Sequence, residues 1–203
     1  MSDSIRLLIL YSPLFNCSSK FQRKVDRLIA TLGSYTLLVT DDPRGHIASL
    51  AQRDARAVNV EKVSSVETSR CTHAIIVDDG RSFPEEERQI ALMNAKIRRV
   101  AVCITRVVNI KISTNIPSQD TGEYAYIGRG SYWGNPYPIG DDGDTREDVI
   151  NKFKFDFDRD IFPSKRKEKV FELKGKTLGC FCKPEACHGD VLADFLNSFD
   201  DGM

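Results

Sequence analysis

Apolar positions first gather in an unbroken run, "IRLLILYSPLF" (Ile5–Phe15), of a length that suits one strand covered on both faces. The period then changes. In "CSSKFQRKVDRLIATLG", Phe21, Val25, Leu28, Ile29 and Leu32 recur at helical spacing, with Ser18 or Ser19 as the expected cap and Gly33 as the stop. "YTLLVTDD" is a second buried strand, "HIASLAQRDARAV" a short helix and "THAIIVDDG" a third strand. "SFPEEERQIALMNAKI" predicts a helix with Ser82 as cap, Pro84 in the first turn and Glu85 completing a capping box. "RRVAVCITRVVNI" is a fourth strand. Buried strands alternating with helices predict an open, mostly parallel, Rossmann-like α/β sheet over residues 1–112.

Around "STNIPSQDTGE" the alternation stops, so residues 113–122 are a linker and residues 123–203 a small α+β domain. It opens with an aromatic strand running into a Gly/Pro-rich loop, "YAYIGRGSYWGNPYPIG". "DTREDVINKFKFDFDRDIF" is a helix with Val149, Ile150, Phe153, Phe157 and Ile161 on one side. "KVFELKGKTLGCFC" supplies a short helical segment and a strand. "GDVLADFLNSF" is a final helix with Val191, Leu192, Phe195, Leu196 and Phe199 on one face and Asp190 as N-cap.

Composition narrows the classes. At 41% hydrophobic, with 11 Phe and 6 Tyr, the chain is globular rather than disordered. The 29 basic and 29 acidic residues cancel, so no overall field marks a nucleic-acid binder. No apolar run approaches the ~20 residues that span a bilayer, and the N-terminus lacks the parts of a signal peptide. A cytoplasmic protein with free thiols and no membrane partner is expected, in the host cytoplasm if a phage encodes it.

Chemistry concentrates near the C-terminus, in "GCFCKPEACHGDVLADFL". Cys187, His188 and Gly189 fall just before the helix that Asp190 caps, where unpaired N–H groups favour an anion and lower a nearby thiol's pKa. Cys180, Cys182, Cys187 and His188 supply enough ligands for zinc. The C-x-C spacing and the adjacency of Cys187 to His188 count against one tetrahedral ion. Metal is therefore the lesser reading, buried cysteines in a tight turn another, and the expected site needs no cofactor. In "GRGSYWGNP", Gly130 and its neighbouring glycines allow close backbone approach, Arg129 and Ser131 offer polar contacts and Trp133 could stack on a base or close a small core. Asn135 opens a turn and adds a polar contact.

Those two motifs together, over residues 122–203, resemble an uncharacterised domain family spread through phages and bacteria. The resemblance implies that Arg129, Trp133, Asn135, Cys182, Cys187, His188 and Asp190 belong to one site, in a context of nucleotide or DNA-modification chemistry.

Polar loops follow the strands of the first half: "YSPLFNCSS" with Ser12, "TDDPRGH" with His46, and "DDGRSFPEEE" with Asp78 and Asp79. His46 is read as exposed and incidental. "THAIIVDDGRSFPEEERQIALMNAKIRRVAV" is similar to the nucleoside deoxyribosyltransferase and lysine-decarboxylase-like nucleotide hydrolase superfamily, with Glu87 and Ala91 at its Glu-x-x-x-Ala pattern and without its Gly-Thr. The similarity implies Glu87 as the carboxylate at an anomeric carbon; Asp78 and Asp79, at a strand's carboxyl end, are alternatives or could hold ribose hydroxyls, and Asp79 and His188 are further catalytic candidates. Ser12, Asp78, Arg129, Gly130, Ser131, Trp133, Asn135, Cys187, Gly189 and Asp190 would bind substrate. The expected function is an enzyme acting on a nucleotide, nucleoside or nucleotide-sugar glycosidic bond, such as a glycosyltransferase with DNA as acceptor. The alternatives are a nucleotide-binding protein without turnover and a zinc-stabilised nucleic-acid adaptor using "PSKRKEK" (Pro163–Lys169).

Overall fold

The central strand of the first sheet, β1 (Ile5–Tyr11), is apolar on both faces because both are covered. The computed structural model describes residues 4–140, 143–162 and 164–202. By compactness the chain divides at Cys103/Ile104. Residues up to Cys103, with those from Asp200 onward, form one unit, and Ile104–Phe199 form the other.

In the first unit, β1 pairs in parallel with β2 (Tyr35–Val39) and β4 (His73–Asp78). β3 (Ala57–Lys62) and β5 (Lys96–Ala101) form the edges, giving the order β3-β2-β1-β4-β5. Alternate side chains of β1 serve opposite layers. Leu8 and Leu10 join Leu38, Ala74 and Ile76 against Ile90 of α3 (Pro84–Leu92). Tyr11, from the other face, meets Phe21 of α1 (Ser18–Ile29) edge to face at 5.4 Å. Phe21, Val25 and Ile29, four residues apart, are the buried stripe of α1. α2 (His46–Arg53) packs beside α1. The residues beyond Phe199 are tied to α1: Arg23 grips Asp200 with both guanidinium nitrogens at 2.8 and 3.0 Å, and Lys20 pairs with Asp201 at 2.8 Å. The Arg23 guanidinium holds the Asp200 carboxyl far below the usual carboxylate range.

Several local expectations change. Cys17, not a serine, occupies the cap position of α1, and Phe83, not Ser82, that of α3; neither caps with its side chain. Ser82 instead donates its backbone N–H to Asp78, which draws the loop back onto β4. The edge strand β3 lacks a sequence signature because Val58 and Val60 are 66% and 52% exposed. His46 is buried, not exposed: its ring lies 5.0 Å from both Tyr11 and Phe21. "RRVAVCITRVVNI", expected as one strand, is two, because β5 belongs to the first sheet and β6 (Arg106–Asn109) to the second.

The second unit is built on a three-stranded parallel sheet, β6-β8-β7, with β8 (Thr177–Cys180) central and β7 (Tyr124–Tyr126) at one side. α4 (Arg146–Arg159) starts at a full capping box, Thr145 with Asp148, and buries Val149, Phe153 and Phe157. Ile150 is half-buried and Ile161, beyond the helix end, is exposed. A 3-10 segment (Lys167–Leu173) leads into β8, and α5 (His188–Ser198) closes the unit. Phe153, Phe157, Leu178, Cys180, Cys187, Leu192 and Leu196 share one core. Phe199, expected on the buried face of α5, is 41% exposed.

Candidate functional site

β8 ends at Cys180, whose buried side chain points into this core, and Cys182 follows two residues later on the same side. The intervening turn is pinned by Asn109, whose Nδ2 donates to the carbonyls of Phe181 and Lys183 at 3.0 and 2.5 Å. The chain then returns to place Cys187 at the N-cap of α5. The Cys187 Sγ accepts the Gly189 amide at 3.3 Å, while the Asp190 carboxylate accepts the Cys187 amide at 2.9 Å. This is a capping box with a thiol in the cap position. Asp190 is therefore the third helical residue rather than the cap, and it also pairs with Lys183 at 2.7 Å.

The fold gathers all three thiols. The Sγ atoms of Cys180, Cys182 and Cys187 lie within 4.8 Å of one another, with Cys180 and Cys182 3.6 Å apart, a group able to hold a metal ion. His188 does not join it. Its Nε2–H donates to the Ile127 carbonyl at 2.9 Å, and its Nδ1 faces the Cys187 sulfur at 3.7 Å. Burial lowers the imidazole's pKa, which keeps the ring neutral. The thiols do not titrate independently. A hydrogen bond from Cys187 draws Cys180 down to about 5, with the Cys182 amide helping against burial. Donating that bond, together with burial, pushes Cys187 up, and burial beside the Cys180 charge pushes Cys182 up.

The cysteines line a cavity of about 190 Å³. Gly128, Arg129, Asn135 and His188, all in the two motifs, also line it, along with Tyr137, Arg146 and Phe181. Arg146 had no motif to mark it: it is the first residue of α4, brought to the cavity by the Thr145 cap and reaching the Ala186 carbonyl at 3.4 Å. Asn135 is partly structural, because its amide donates to Val149 O and accepts from the Tyr137 amide, both at 3.0 Å.

Other expected contacts lie elsewhere. Trp133 is 5% exposed, packs edge to face on Phe157 and belongs to the core, so it closes the domain rather than offering a face to a base. Gly189 is required by packing: a Cβ there would stand 2.4 Å from Ile127 Cδ1. Gly134 likewise allows the loop to close on itself, since its Cβ would meet the Gly128 carbonyl at 2.6 Å. Gly130 is exposed and does not line the cavity, and Ser131 Oγ is buried with no hydrogen-bond partner among the described residues. The basic run is not a free patch: Lys165, Lys167 and Lys169 lie over Phe162, Phe157 and Tyr132 (Pro163 falls outside the described residues).

In the first unit, Ser12 directly follows β1 and Asp78 ends the adjacent β4, and the Ser12 amide donates to Val77 O at 3.3 Å. Asp78 accepts the amides of Gly80 and Ser82 at 3.0 and 3.1 Å, and Asp79 accepts that of Arg81. Glu87, on α3, forms an ion pair with Arg99 of β5.

A parallel sheet whose strand order reverses between β1 and β4, with polar loops at those carboxyl ends, defines the first unit as a Rossmann-like α/β domain. The chain belongs to the Minimal SLOG domain family, whose model matches residues 4–108. Residues 108–198 match the model of a Domain of unknown function (DUF4326). The chain is also similar to the "Uncharacterized 12.4 kDa protein in nrdA-td intergenic region" of Enterobacteria phage T4, 44% identical over 72 residues, which are 35% of this chain. It spans about 65% of that relative's length. No solved structure matches the chain. Among the described residues, no helix is long and apolar enough to cross a membrane.

Proposed function

We propose that this protein is an enzyme acting on a nucleotide or nucleotide sugar at its glycosidic bond, a glycosyl transfer to DNA bases being one form of that chemistry. The observation that carries the reading is the switch point. The strand order β3-β2-β1-β4-β5 sets Ser12 and Asp78 side by side, at the place where open parallel sheets bind ligands. Membership of a nucleotide-related family supports it. Cleaving a glycosidic bond builds oxocarbenium charge that a carboxylate stabilises or traps, and Glu87 is the residue assigned to that task. Glu87 is held in an ion pair with Arg99. The step needs no metal. Asp78 and Asp79 hold the loop that leads from β4 towards α3.

Binding without turnover is the second reading, and one observation favours it: Glu87 is already paired with Arg99. A thermal-shift screen against nucleotides and nucleotide sugars, followed by chromatography of the mixtures for released base or transferred sugar, separates the two. Expected are a binder, a product, and loss of product with retained binding in Glu87→Gln. Product formation at the wild-type rate by that variant removes Glu87 from catalysis. A binder with no product leaves the second reading standing, and no binder at all overturns both.

A further inference from the structure

The geometry points to a zinc site of three protein ligands, Cys180, Cys182 and Cys187, whose fourth position opens on the cavity and takes a phosphate oxygen held by Arg129 and Arg146. This inference is independent of the glycosidic reading, because it concerns the second unit alone.

Zinc–sulfur bonds of about 2.3 Å in a tetrahedron place ligand sulfurs about 3.8 Å apart. The Cys180 and Cys182 sulfurs stand 3.6 Å apart and all three fall inside 4.8 Å, so one ion fits with little side-chain movement. All three are free thiols. Binding converts those still protonated to thiolates and releases their protons to solvent. The surroundings are those of a supported site. Cys187 receives the Gly189 amide, Asp190 fixes the Cys187 backbone, and Asn109 pins the turn between Cys180 and Cys187.

A structural zinc site closes its coordination with a fourth protein ligand, whereas a catalytic one keeps that position for water or substrate. Among the described residues no fourth side chain enters the group, and the adjacent His188 is anchored by its Nε2–H to Ile127 O. The cysteines instead share their cavity with Arg129 and Arg146. Three thiolates around a divalent ion leave one net negative charge, so an anion does not come to the metal alone. Two arginines lining the same cavity bring charge that reverses that balance, and a guanidinium matches phosphate geometry.

The full-length protein, purified without chelator, is assayed for zinc by mass spectrometry, then depleted and reloaded with cobalt. One equivalent of zinc is expected, falling at least tenfold in Cys182→Ser and unchanged in Cys103→Ser, whose thiol is exposed in the other unit. Cobalt should give sulfur-to-metal charge-transfer bands with tetrahedral ligand-field bands. The latter should shift on adding sodium phosphate but not sodium chloride at equal ionic strength, and the phosphate response should weaken at least tenfold in Arg146→Ala. Less than a tenth of an equivalent of zinc with no cobalt uptake overturns the site. Cobalt bands that ignore phosphate, or that lose a ligand in His188→Gln, overturn the open position, because the site would then be closed by the histidine or inaccessible. A phosphate shift that survives in Arg146→Ala and Arg129→Ala overturns the guanidinium role.

Discussion

Asn197, near the end of α5, pairs with both backbone groups of Thr105 at the start of β6: its Oδ1 accepts the Thr105 amide at 2.8 Å and its Nδ2 donates to the Thr105 carbonyl at 2.9 Å. The side-chain amide thus does for one residue what a neighbouring strand would do. Both residues are buried, so no solvent stands by to replace it. Asn197→Leu keeps the volume and strands two buried backbone groups, each costing about 1–3 kcal/mol when left unmade. The expected loss is about 3 kcal/mol in urea unfolding, with Asn197→Asp falling between because it retains the acceptor. A loss below about 1 kcal/mol would mean that water enters and satisfies Thr105.

Such a residue is invisible to pattern reading, and the contrast with what was visible is instructive. The alternation of buried runs and amphipathic stretches announced β1, β2, β4, α1, α4 and α5, because each buries a periodic face. The edge strand β3 escaped because its valines face solvent, where periodicity carries no burial signal. The junction near Cys103 escaped for the opposite reason: β5 and β6 are apolar segments of the same kind, and only pairing partners distinguish them. At the candidate site the cysteine spacing was legible, since Cys180, Cys182 and Cys187 come together. What an element's first turn does was not. Cys187 took the cap assigned to Asp190, and Arg146 reached the cavity only because Thr145 starts α4 beside it. Trp133 could be read two ways, and burial decided for the core.

Gly189 tests whether the Cys-His-Gly-Asp motif is set by packing or by ligand contact within this fold. An alanine Cβ there would lie 2.4 Å from Ile127 Cδ1 and 3.1 Å from a Val107 methyl. Ile127 is fully buried, so its Cδ1 would have to shift within the core. Gly189→Ala should therefore cost about 1–3 kcal/mol, the range for overpacking a closed core. Ile127→Val removes the clashing Cδ1 at a cost of about 0.5–1.5 kcal/mol alone. The double variant should be more stable than the sum of the two losses, and thermal unfolding of the four proteins measures it. Additive losses would place the cost of Gly189→Ala in the helix start itself.

The histidines set the acid side of the stability curve. Burial lowers the pKa of His46 and of His73, the latter with help from Lys96 and Arg98, and burial lowers His188 as well. A group whose folded pKa lies below its unfolded value, about 6.5 for histidine, binds more protons when unfolded, so its contribution is complete above about pH 6.5 and is lost as pH falls through the folded pKa. Asp54, drawn down to about 2 chiefly by its hydrogen bond from Arg56, stays ionised throughout that window. The melting temperature should then decline between about pH 6.5 and pH 5, ahead of the general carboxylate transition. His46 is the residue to isolate, since Tyr11, Phe15 and Phe21 surround it and its Nε2 reaches the Phe15 carbonyl at 3.4 Å. His46→Gln can donate to the same carbonyl without titrating. Melting curves taken across this window should be flatter for the variant than for the parent, at some loss of stability near neutrality. Equal slopes would mean that His46 acquires its proton without leaving the folded state.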